Sequence, residues 1–182
     1  MHQQSLLRIM KFSEQCIAKM IEGVVFDLDG TLVNLPIDYE NLFRELKRII
    51  KADNIHPLLE TISVVDEDRL KQIFRAWDEA ELAVSRWITV NEEGIKTYRE
   101  FSNKPRALIT LQGKKVVKII IKQLGLSFDF IITREDSLSR VEQLKKAAEN
   151  LNIQHKKLLF VGNTKNDSAA AEKLGTQFLK IE

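Results

Sequence analysis

The chain has 182 residues, of which 44% are hydrophobic and 30% are charged, and its formal net charge is +2. This composition predicts one globular domain with a substantial core, or a core domain with a small insert. The weak charge argues against nucleic acid binding, no apolar run is long enough to span a membrane, and Cys16 is the only cysteine. We therefore expect a cytoplasmic protein without an intrachain disulfide, and we leave monomer or homodimer open.

The amino-terminal region leads into the most informative stretch of the chain. Residues 1–22 show a loose helical pattern without the apolar core of a secretory signal, so we expect an extension with a short helix or disorder. Residues 23–33 read GVVFDLDGTLV, which predicts a buried strand over Val24–Phe26 and then a turn at Gly30. Asp27 and Asp29 follow that strand, on one side and about 6–7 Å apart if the extended backbone continues.

Two carboxylates at the end of an apolar strand are costly to bury unless a cation or hydrogen bonds compensate them. One of them could attack an electrophile while the other transfers a proton. The alternative is a polar turn, because Asp and Gly are common turn residues. The clean apolar strand before the pair favours a functional site.

Residues 34–104 predict a helical segment. Asp38 and Asp66 are expected N-caps of two of its helices. We expect its aromatic residues to lie in the core rather than to form a ligand platform. Apolar residues recur at helical spacing, at Leu42, Phe43, Leu46, Ile49, Ile50, Leu70, Ile73, Phe74, Trp77, Leu82, Trp87, Ile95, Tyr98 and Phe101.

From Pro105 the pattern alternates between strand and helix, which is typical of a parallel sheet. With Val24–Phe26, the strands predict a doubly wound α/β sheet of five strands, whose ligands bind beyond the carboxyl ends of the strands. The predicted strands are Ala107–Leu111, Phe128–Ile132, Lys157–Val161 and, at an edge, Gln177–Lys180. The predicted helices are Lys115–Leu124, ending at Gly125, Arg140–Leu151, and Asp167–Leu174, ending at Gly175.

Polar residues follow several of these strands. The hydroxyl of Thr110 and the backbone N–H of Leu111 could hold a phosphate oxygen, although Thr is also an ordinary strand residue. Arg140 could lie on the surface in the first turn of a predicted helix, with Lys145 and Lys146 farther on. Asn163 and Asp167 follow the strand in LLFVGNTKNDSAAAEKLG. Read by itself, Asp167 could be a helix N-cap.

The segment FDLDGTLV resembles the first motif of the haloacid dehalogenase superfamily, and LLFVGNTKNDSAAAEKLG resembles its fourth, V-G-D-x-x-x-D. The resemblance extends from Gly23 to about Gly175. It implies a Rossmann-like core over 23–33 and 105–182, with a small all-helical cap over 34–104. It also implies that Asp27 is the nucleophile of a magnesium-dependent phosphohydrolase and that Asp29 is its general acid and base.

The resemblance carries further roles, two of them altered. Thr110 corresponds to the second motif. Arg140 lies nearest to the basic residue of the third, which phosphoglycolate phosphatase-like relatives usually carry in a Lys-Pro pair, and an arginine there could clamp phosphate in a bidentate manner. Asn163 stands where the first acid of the fourth motif is expected. The ligands of Mg²⁺ would then be Asp27, Asn163, Asp167 and the backbone carbonyl of Asp29. This set carries one negative charge fewer than the family's set, because Asn163 replaces an acid.

Arg134 and Glu135 are similar to family positions of mainly structural use. Substrate specificity in the family depends on the cap, where Tyr39, Arg75 and Arg86 are only candidates. The implied function is a phosphatase of the phosphoglycolate phosphatase-like branch that hydrolyses a small phosphorylated metabolite through an aspartyl-phosphate. A phosphoglucomutase-like transferase and a catalytically weakened binding or regulatory protein remain alternatives, and a dehalogenase is less favoured.

Overall fold

The structure, a computed structural model, describes residues 20–182. We expected a short helix or disorder in the extension, and residues 1–19 of that extension lie outside the described residues. Ile21 is 1% exposed, and the N–H of Glu22 donates to the carbonyl of Lys157 at 2.8 Å. The last residues that we assigned to the extension thus pack against the core.

Seven strands form a five-stranded sheet and a separate two-stranded sheet. In chain order they are β1 (Gly23–Phe26), β2 (Val33–Asn34), β3 (Thr89–Val90), β4 (Arg106–Ile109), β5 (Phe130–Ile132), β6 (Leu158–Gly162) and β7 (Gln177–Lys180). The large sheet has the order β5-β4-β1-β6-β7, with every neighbouring pair parallel. This confirms the predicted doubly wound α/β fold, including β7 as an edge strand.

The central strands are apolar because both of their faces are covered. All residues of β1 and β6 are buried, as expected for a parallel sheet between helices. The strand β4 ends at Ile109 rather than at the predicted Leu111. The chain turns there because the hydroxyl of Thr110 accepts a hydrogen bond from the N–H of Gln112 at 3.2 Å. Similarly, β5 begins at Phe130 rather than at Phe128.

Seven α-helices and one short 3₁₀-helix over His155–Lys157 complete the described chain. The α-helices are α1 (Tyr39–Ile50), α2 (Leu58–Ser63), α3 (Glu67–Val84), α4 (Glu92–Glu100), α5 (Lys114–Leu124), α6 (Arg140–Leu151) and α7 (Lys165–Leu174). The predicted N-caps Asp38 and Asp66 are confirmed, since their side chains accept from backbone N–H groups three residues on. Gly125 and Gly175 end their helices in the left-handed conformation, as predicted.

Helices α1 to α4 form the helical insert, which we define as residues 34–104. Contrary to the expectation of an all-helical segment, it also contains β3, which pairs antiparallel with β2. Two-residue strands are too short to show an alternating pattern, so the sequence did not reveal them. Trp77 and Tyr98 are buried as expected, but Trp87 is 72% exposed, so the expectation of a core position was wrong for Trp87.

The insert and the core share one apolar cluster, which includes Phe26 and Leu28 of the core and Leu42, Ile73 and Ile95 of the insert. The insert therefore packs against the core near the carboxyl end of β1, where Phe26 and Leu28 lie. Over residues 20–182, none of the helices combines the length and the apolar character that crossing a membrane requires.

Candidate active site

The candidate site lies at the carboxyl-end edge of the large sheet. Asp27 directly follows β1, Thr110 follows β4, and Asn163 follows β6. Arg140 is the first residue of α6. Because parallel strands end at the same edge of a sheet, these residues from distant parts of the chain lie together at that edge.

Asp27 is held in a buried position. It is 3% exposed, and its N–H continues the pairing with β6 by donating to the carbonyl of Val161 at 2.9 Å. Burial raises the pKa of Asp27 from its usual 3.8 to about 7, while Arg140 acts in the opposite direction. Asp27 is therefore a carboxylate whose charge depends on a nearby cation.

Arg140 supplies that cation. Its Nη2 lies 3.0 Å from Oδ1 of Asp27, and its Nε lies 2.8 Å from Oδ1 of Asp167. Its Nη1 donates to the carbonyl of Ile109 at 3.2 Å, and only 13% of its side chain is exposed. The alternative that Arg140 is a surface residue is wrong.

The two lysines that follow on α6 point elsewhere. Lys145 pairs with Glu142 at 2.8 Å, and Lys146 donates to the carbonyl of Asp136 at 2.6 Å, both among exposed groups. Arg140 is therefore the basic residue of this helix that faces Asp27.

Gln143 is a buried residue that the sequence did not reveal as part of the site. It is fully buried, and its Oε1 accepts from Nη1 of Arg140 at 3.0 Å. Its Nε2 donates at 2.8 Å to the carbonyls of Thr110 and Ser137. Gln143 thus ties Arg140 to the end of β4. The available signal was its position one turn after Arg140, on the face of α6 that carries Ala147.

Asp167 is also fully buried. Its Oδ2 accepts from the N–H of Thr164 at 3.0 Å and from the hydroxyl of Thr164 at 2.7 Å. Thr164 is the N-cap of α7, and Asp167 completes a capping box at the third helical position. The alternative that Asp167 is itself the N-cap is wrong, and the helix begins at Lys165 rather than at Asp167.

Asp29 lies between the core and the insert. Its Oδ1 accepts from the N–H of Leu35 at 2.8 Å, and its Oδ2 accepts from the hydroxyl of Tyr39 at 3.3 Å. Burial raises the pKa of Asp29, and both hydrogen bonds oppose that rise. Burial and the neighbouring Asp29 raise the pKa of Tyr39, so its hydroxyl keeps its proton and remains a donor.

Thr110 and Leu111 lie in the loop after β4, at the same edge of the sheet as Asp27. Thr110 is fully buried, and its hydroxyl is in contact with the side-chain oxygen of Gln112. The carbonyl of Leu111 accepts from Nη1 of Arg134 at 3.1 Å. The hydroxyl of Thr110 is thus engaged within its own loop, and a phosphate would have to replace that contact.

Asn163 packs over the turn at Gly30. Its Oδ1 accepts from the hydroxyl of Thr31 at 3.4 Å, which is a long hydrogen bond. Gly30 has a φ of +78°, and a Cβ there would lie 2.0 Å from Nδ2 of Asn163. The turn therefore requires glycine both for its backbone conformation and for the space that Asn163 occupies.

The oxygens around Arg140 fit a cation only in part. Oδ1 of Asp27 and Oδ1 of Asp167 are buried and lack a well-directed hydrogen bond, although both lie close to the guanidinium. Asn163 adds a weakly engaged amide oxygen. Over residues 20–182, no cluster of three or more His, Cys, Asp or Glu side chains is arranged to hold a metal ion. Hard oxygen donors suit Mg²⁺, which commonly completes its coordination with water and substrate phosphate.

The remaining predicted residues have mixed outcomes. Tyr39 contacts Asp29, whereas Arg75 is exposed and pairs with Glu79 at 3.0 Å. Arg86 is exposed on the insert. Arg134 is 1% exposed and lies beside the site, between the loop after β4 and helix α3.

Comparisons with known proteins show which family and fold this chain resembles. A family model described as haloacid dehalogenase-like hydrolase matches residues 24–181. Pyrophosphatase PpaX of Bacillus cereus is 25% identical over 179 residues, which cover 86% of this chain and 81% of that protein. A haloacid dehalogenase-like family hydrolase from Streptococcus pneumoniae superposes with a TM-score of 0.66 at 20% identity, covering 90% of this chain and 86% of that chain. CbbY from Rhodobacter sphaeroides, solved in complex with phosphate, superposes with a TM-score of 0.60 at 17% identity. The superposition covers 87% of this chain and 84% of that chain.

Proposed function

Since this chain belongs to the haloacid dehalogenase-like hydrolases, we propose that it is a Mg²⁺-dependent phosphatase that hydrolyses a small phosphomonoester through an aspartyl-phosphate. The observation that carries the proposal is the position of Arg140, within 3.0 Å of Asp27 and 2.8 Å of Asp167. This contact orients a buried carboxylate as a nucleophile and places a cation where phosphate oxygens would lie.

In the first step, Asp27 attacks phosphorus. Arg140 restrains Oδ1 of Asp27 and leaves Oδ2 to form the new bond to phosphorus. The bond between phosphorus and the ester oxygen breaks, and the leaving alcohol takes a proton from Asp29. The burial that raises the pKa of Asp29 favours the protonated form needed for this transfer.

In the second step, water hydrolyses the aspartyl-phosphate. Asp29, now ionised, accepts a proton from the attacking water, and the bond between phosphorus and Asp27 breaks to release phosphate. The hydrogen bonds from Leu35 and Tyr39 hold Asp29 in place and stabilise its ionised form. One carboxylate therefore acts in turn as an acid and as a base.

The phosphate would be held by groups on both sides of Asp27. Arg140 contributes positive charge, while the hydroxyl of Thr110 and the N–H of Leu111 contribute neutral donors. Gln143 keeps Arg140 in reach by accepting from its Nη1 at 3.0 Å.

A bound Mg²⁺ would be held by Asp27, by Asn163 and by the backbone carbonyl of Asp29, with Asp167 nearby. It would neutralise the charge between the phosphate and Asp27. Because Asn163 is neutral and Oδ2 of Asp167 is already taken by Thr164, the substrate phosphate must contribute to binding the ion.

The insert, residues 34–104, is proposed to act as a cap domain over a core of residues 23–33 and 105–182. It begins next to Asp29, and Tyr39 at the start of α1 contacts that residue directly. A cap in this position would exclude water from the aspartyl-phosphate and select the leaving group. We keep a cytoplasmic location, no nucleic acid or membrane partner, and a monomer or homodimer as parts of the proposal.

A phosphatase assay over a metabolite panel tests the function. The panel should include small phosphomonoesters such as phosphoglycolate, and also inorganic pyrophosphate, because the relative from Bacillus cereus is named a pyrophosphatase. We expect phosphate release that requires Mg²⁺ and is lost in Asp27→Asn. Activity retained in Asp27→Asn would rule out the covalent route, and phosphoryl transfer without free phosphate would indicate a transferase.

Asn163 favours a second candidate function, a phosphate-binding regulatory protein with weak catalysis. An asparagine at this position gives the set of ligands that would hold Mg²⁺ one negative charge fewer than an aspartate would. This candidate predicts that the protein binds beryllofluoride or phosphate with Mg²⁺ but hydrolyses nothing in the panel. Measurable turnover of any substrate by wild type, absent in Asp27→Asn, would reject it.

A further inference from the structure

A cluster of buried charges joins the helical insert to the core beside the proposed phosphate site. Arg134 and Glu81 are each almost completely buried, and Nη1 of Arg134 lies 2.6 Å from Oε1 of Glu81. Nη2 of Arg134 is in direct contact with Asp78. Lys115 lies 3.0 Å from the other oxygen of Asp78, so two cations face two carboxylates.

The cluster is costly for the fold. Asp78 and Glu81 share one face of α3 with Phe74 and Trp77, which is otherwise an apolar face. Burial raises the pKa of Glu81 to about 7, although Arg134 acts to lower it. Well-packed apolar residues often stabilise such a position as well as an ion pair does. Stability alone therefore does not explain why charged residues occupy it.

The cluster also binds the backbone of the loop that follows β4. Nη1 of Arg134 donates to the carbonyl of Leu111 at 3.1 Å, and the N–H of Gly113 donates to Oε2 of Glu81 at 3.0 Å. A Cβ on Gly113 would collide with the side chains of Asp78 and Arg134, so the cluster packs directly against the backbone of this glycine. One end of the segment 111–113 is thus held by Arg134 of the core, and the other end is held by Glu81 of the insert.

We propose that Arg134 and Glu81 are positioning residues that shape the phosphate-binding loop, residues 110–113, and couple it to helix α3 of the insert. This inference rests on the proposed function. It assigns the insert a part in phosphate binding through the backbone of the core, in addition to any contact with the leaving group.

The orientation of one peptide group explains how the coupling works. When Arg134 holds the carbonyl of Leu111, the N–H of the same peptide group, on Gln112, points the opposite way and reaches the hydroxyl of Thr110 at 3.2 Å. Arg134 and Glu81 therefore orient the Thr110 hydroxyl, which would bind phosphate. By linkage, phosphate bound to the loop should strengthen the association of the insert with the core.

The test separates this role from a purely structural one by replacing the three buried members of the cluster together. The triple variant Arg134→Met, Asp78→Leu, Glu81→Met removes the buried charges, keeps apolar packing and leaves only the exposed Lys115 charged. Glu81→Gln is a nearly isosteric single change. Ile73→Val is the matched control, since Ile73 is fully buried on α3 and its side chain cannot hydrogen-bond to the loop. Affinity for inorganic phosphate with Mg²⁺ is measured by calorimetry, and stability by urea denaturation.

We expect the triple variant to unfold at a urea concentration close to that of wild type but to bind phosphate at least about tenfold more weakly. Glu81→Gln should weaken phosphate binding and speed hydrogen exchange at the amide of Gly113. Ile73→Val should lower the urea midpoint and leave phosphate affinity within about twofold of wild type.

Phosphate affinity equal to that of wild type in either folded cluster variant would overturn the positioning role and leave the phosphatase proposal intact. If the triple variant does not fold, Glu81→Gln decides the outcome alone. A wild-type protein that neither binds phosphate nor hydrolyses a phosphomonoester would instead remove the proposed function, and this inference with it.

Discussion

Replacing Asp27 with asparagine should make the protein more resistant to unfolding at neutral and alkaline pH while abolishing hydrolysis. Asp27 is 3% exposed, and burial raises its pKa from 3.8 to about 7. In the unfolded chain the carboxyl ionises near its usual pKa, so between these two values the folded state binds the proton that the unfolded state has lost. Stability must therefore fall as pH rises through this interval.

The magnitude follows from the two pKa values. The interval from 3.8 to about 7 corresponds to a ratio of roughly 10³ in proton affinity, or about 4 kcal/mol. Without metal, wild type should thus lose up to about 4 kcal/mol relative to Asp27→Asn between about pH 4 and about pH 8. Added Mg²⁺ should reduce the difference, because a cation stabilises the ionised carboxylate.

Urea denaturation in the presence of a chelator, repeated at several pH values, measures this difference. Asp53→Asn is the matched control, because Asp53 is an exposed carboxylate of the insert whose replacement should leave the pH dependence unchanged. Parallel stability curves for wild type and Asp27→Asn across the whole range would refute the reasoning. Such a result would mean that Arg140 fully compensates the buried charge.

Three further substitutions test the site. Arg140→Lys should lower kcat/KM by roughly 10²-fold, because one ammonium cannot contact Asp27 and Asp167 as the guanidinium does; unchanged kinetics would contradict that role. Asn163→Asp should raise the affinity for Mg²⁺ alone by roughly tenfold in calorimetry, since it restores an anionic oxygen, and equal affinity would exclude Asn163 as a ligand. Tyr39→Phe removes a hydrogen bond that lowers the pKa of Asp29, so the alkaline limb of the kcat/KM profile should move to higher pH; an unmoved limb would separate Tyr39 from Asp29.

Local patterns in the sequence were sufficient for the fold class and for the position of Asp27 and Asp29 after β1. Apolar runs predicted all five strands of the large sheet, because buried parallel strands must be apolar on both faces. The helix ends at Asp38, Asp66, Gly125 and Gly175 were also predicted correctly, since capping depends on neighbouring residues alone. The sequence did not predict the pairing of β2 with β3, because each of these strands has only two residues and so shows no periodic pattern.

The partners of charged residues were beyond the reach of local patterns. Arg140 was left between a phosphate ligand and a surface residue, because its distance to Asp27 depends on how α6 packs against β1 and β4. Gln143 and Glu81 were not considered as parts of the site for the same reason. Each of them acts through hydrogen bonds to backbone groups that are far away in the chain.

The sequence by itself determined which reactive groups lie at the end of β1. The segment FDLDGTLV places two carboxylates directly after a buried strand, whichever strands pair with it. Only the tertiary structure decided which cation faces Asp27 and how the insert contacts the loop after β4. The physical reason is that strand and helix formation follow from near neighbours, whereas the energy of a buried charge depends on groups brought together from the whole chain.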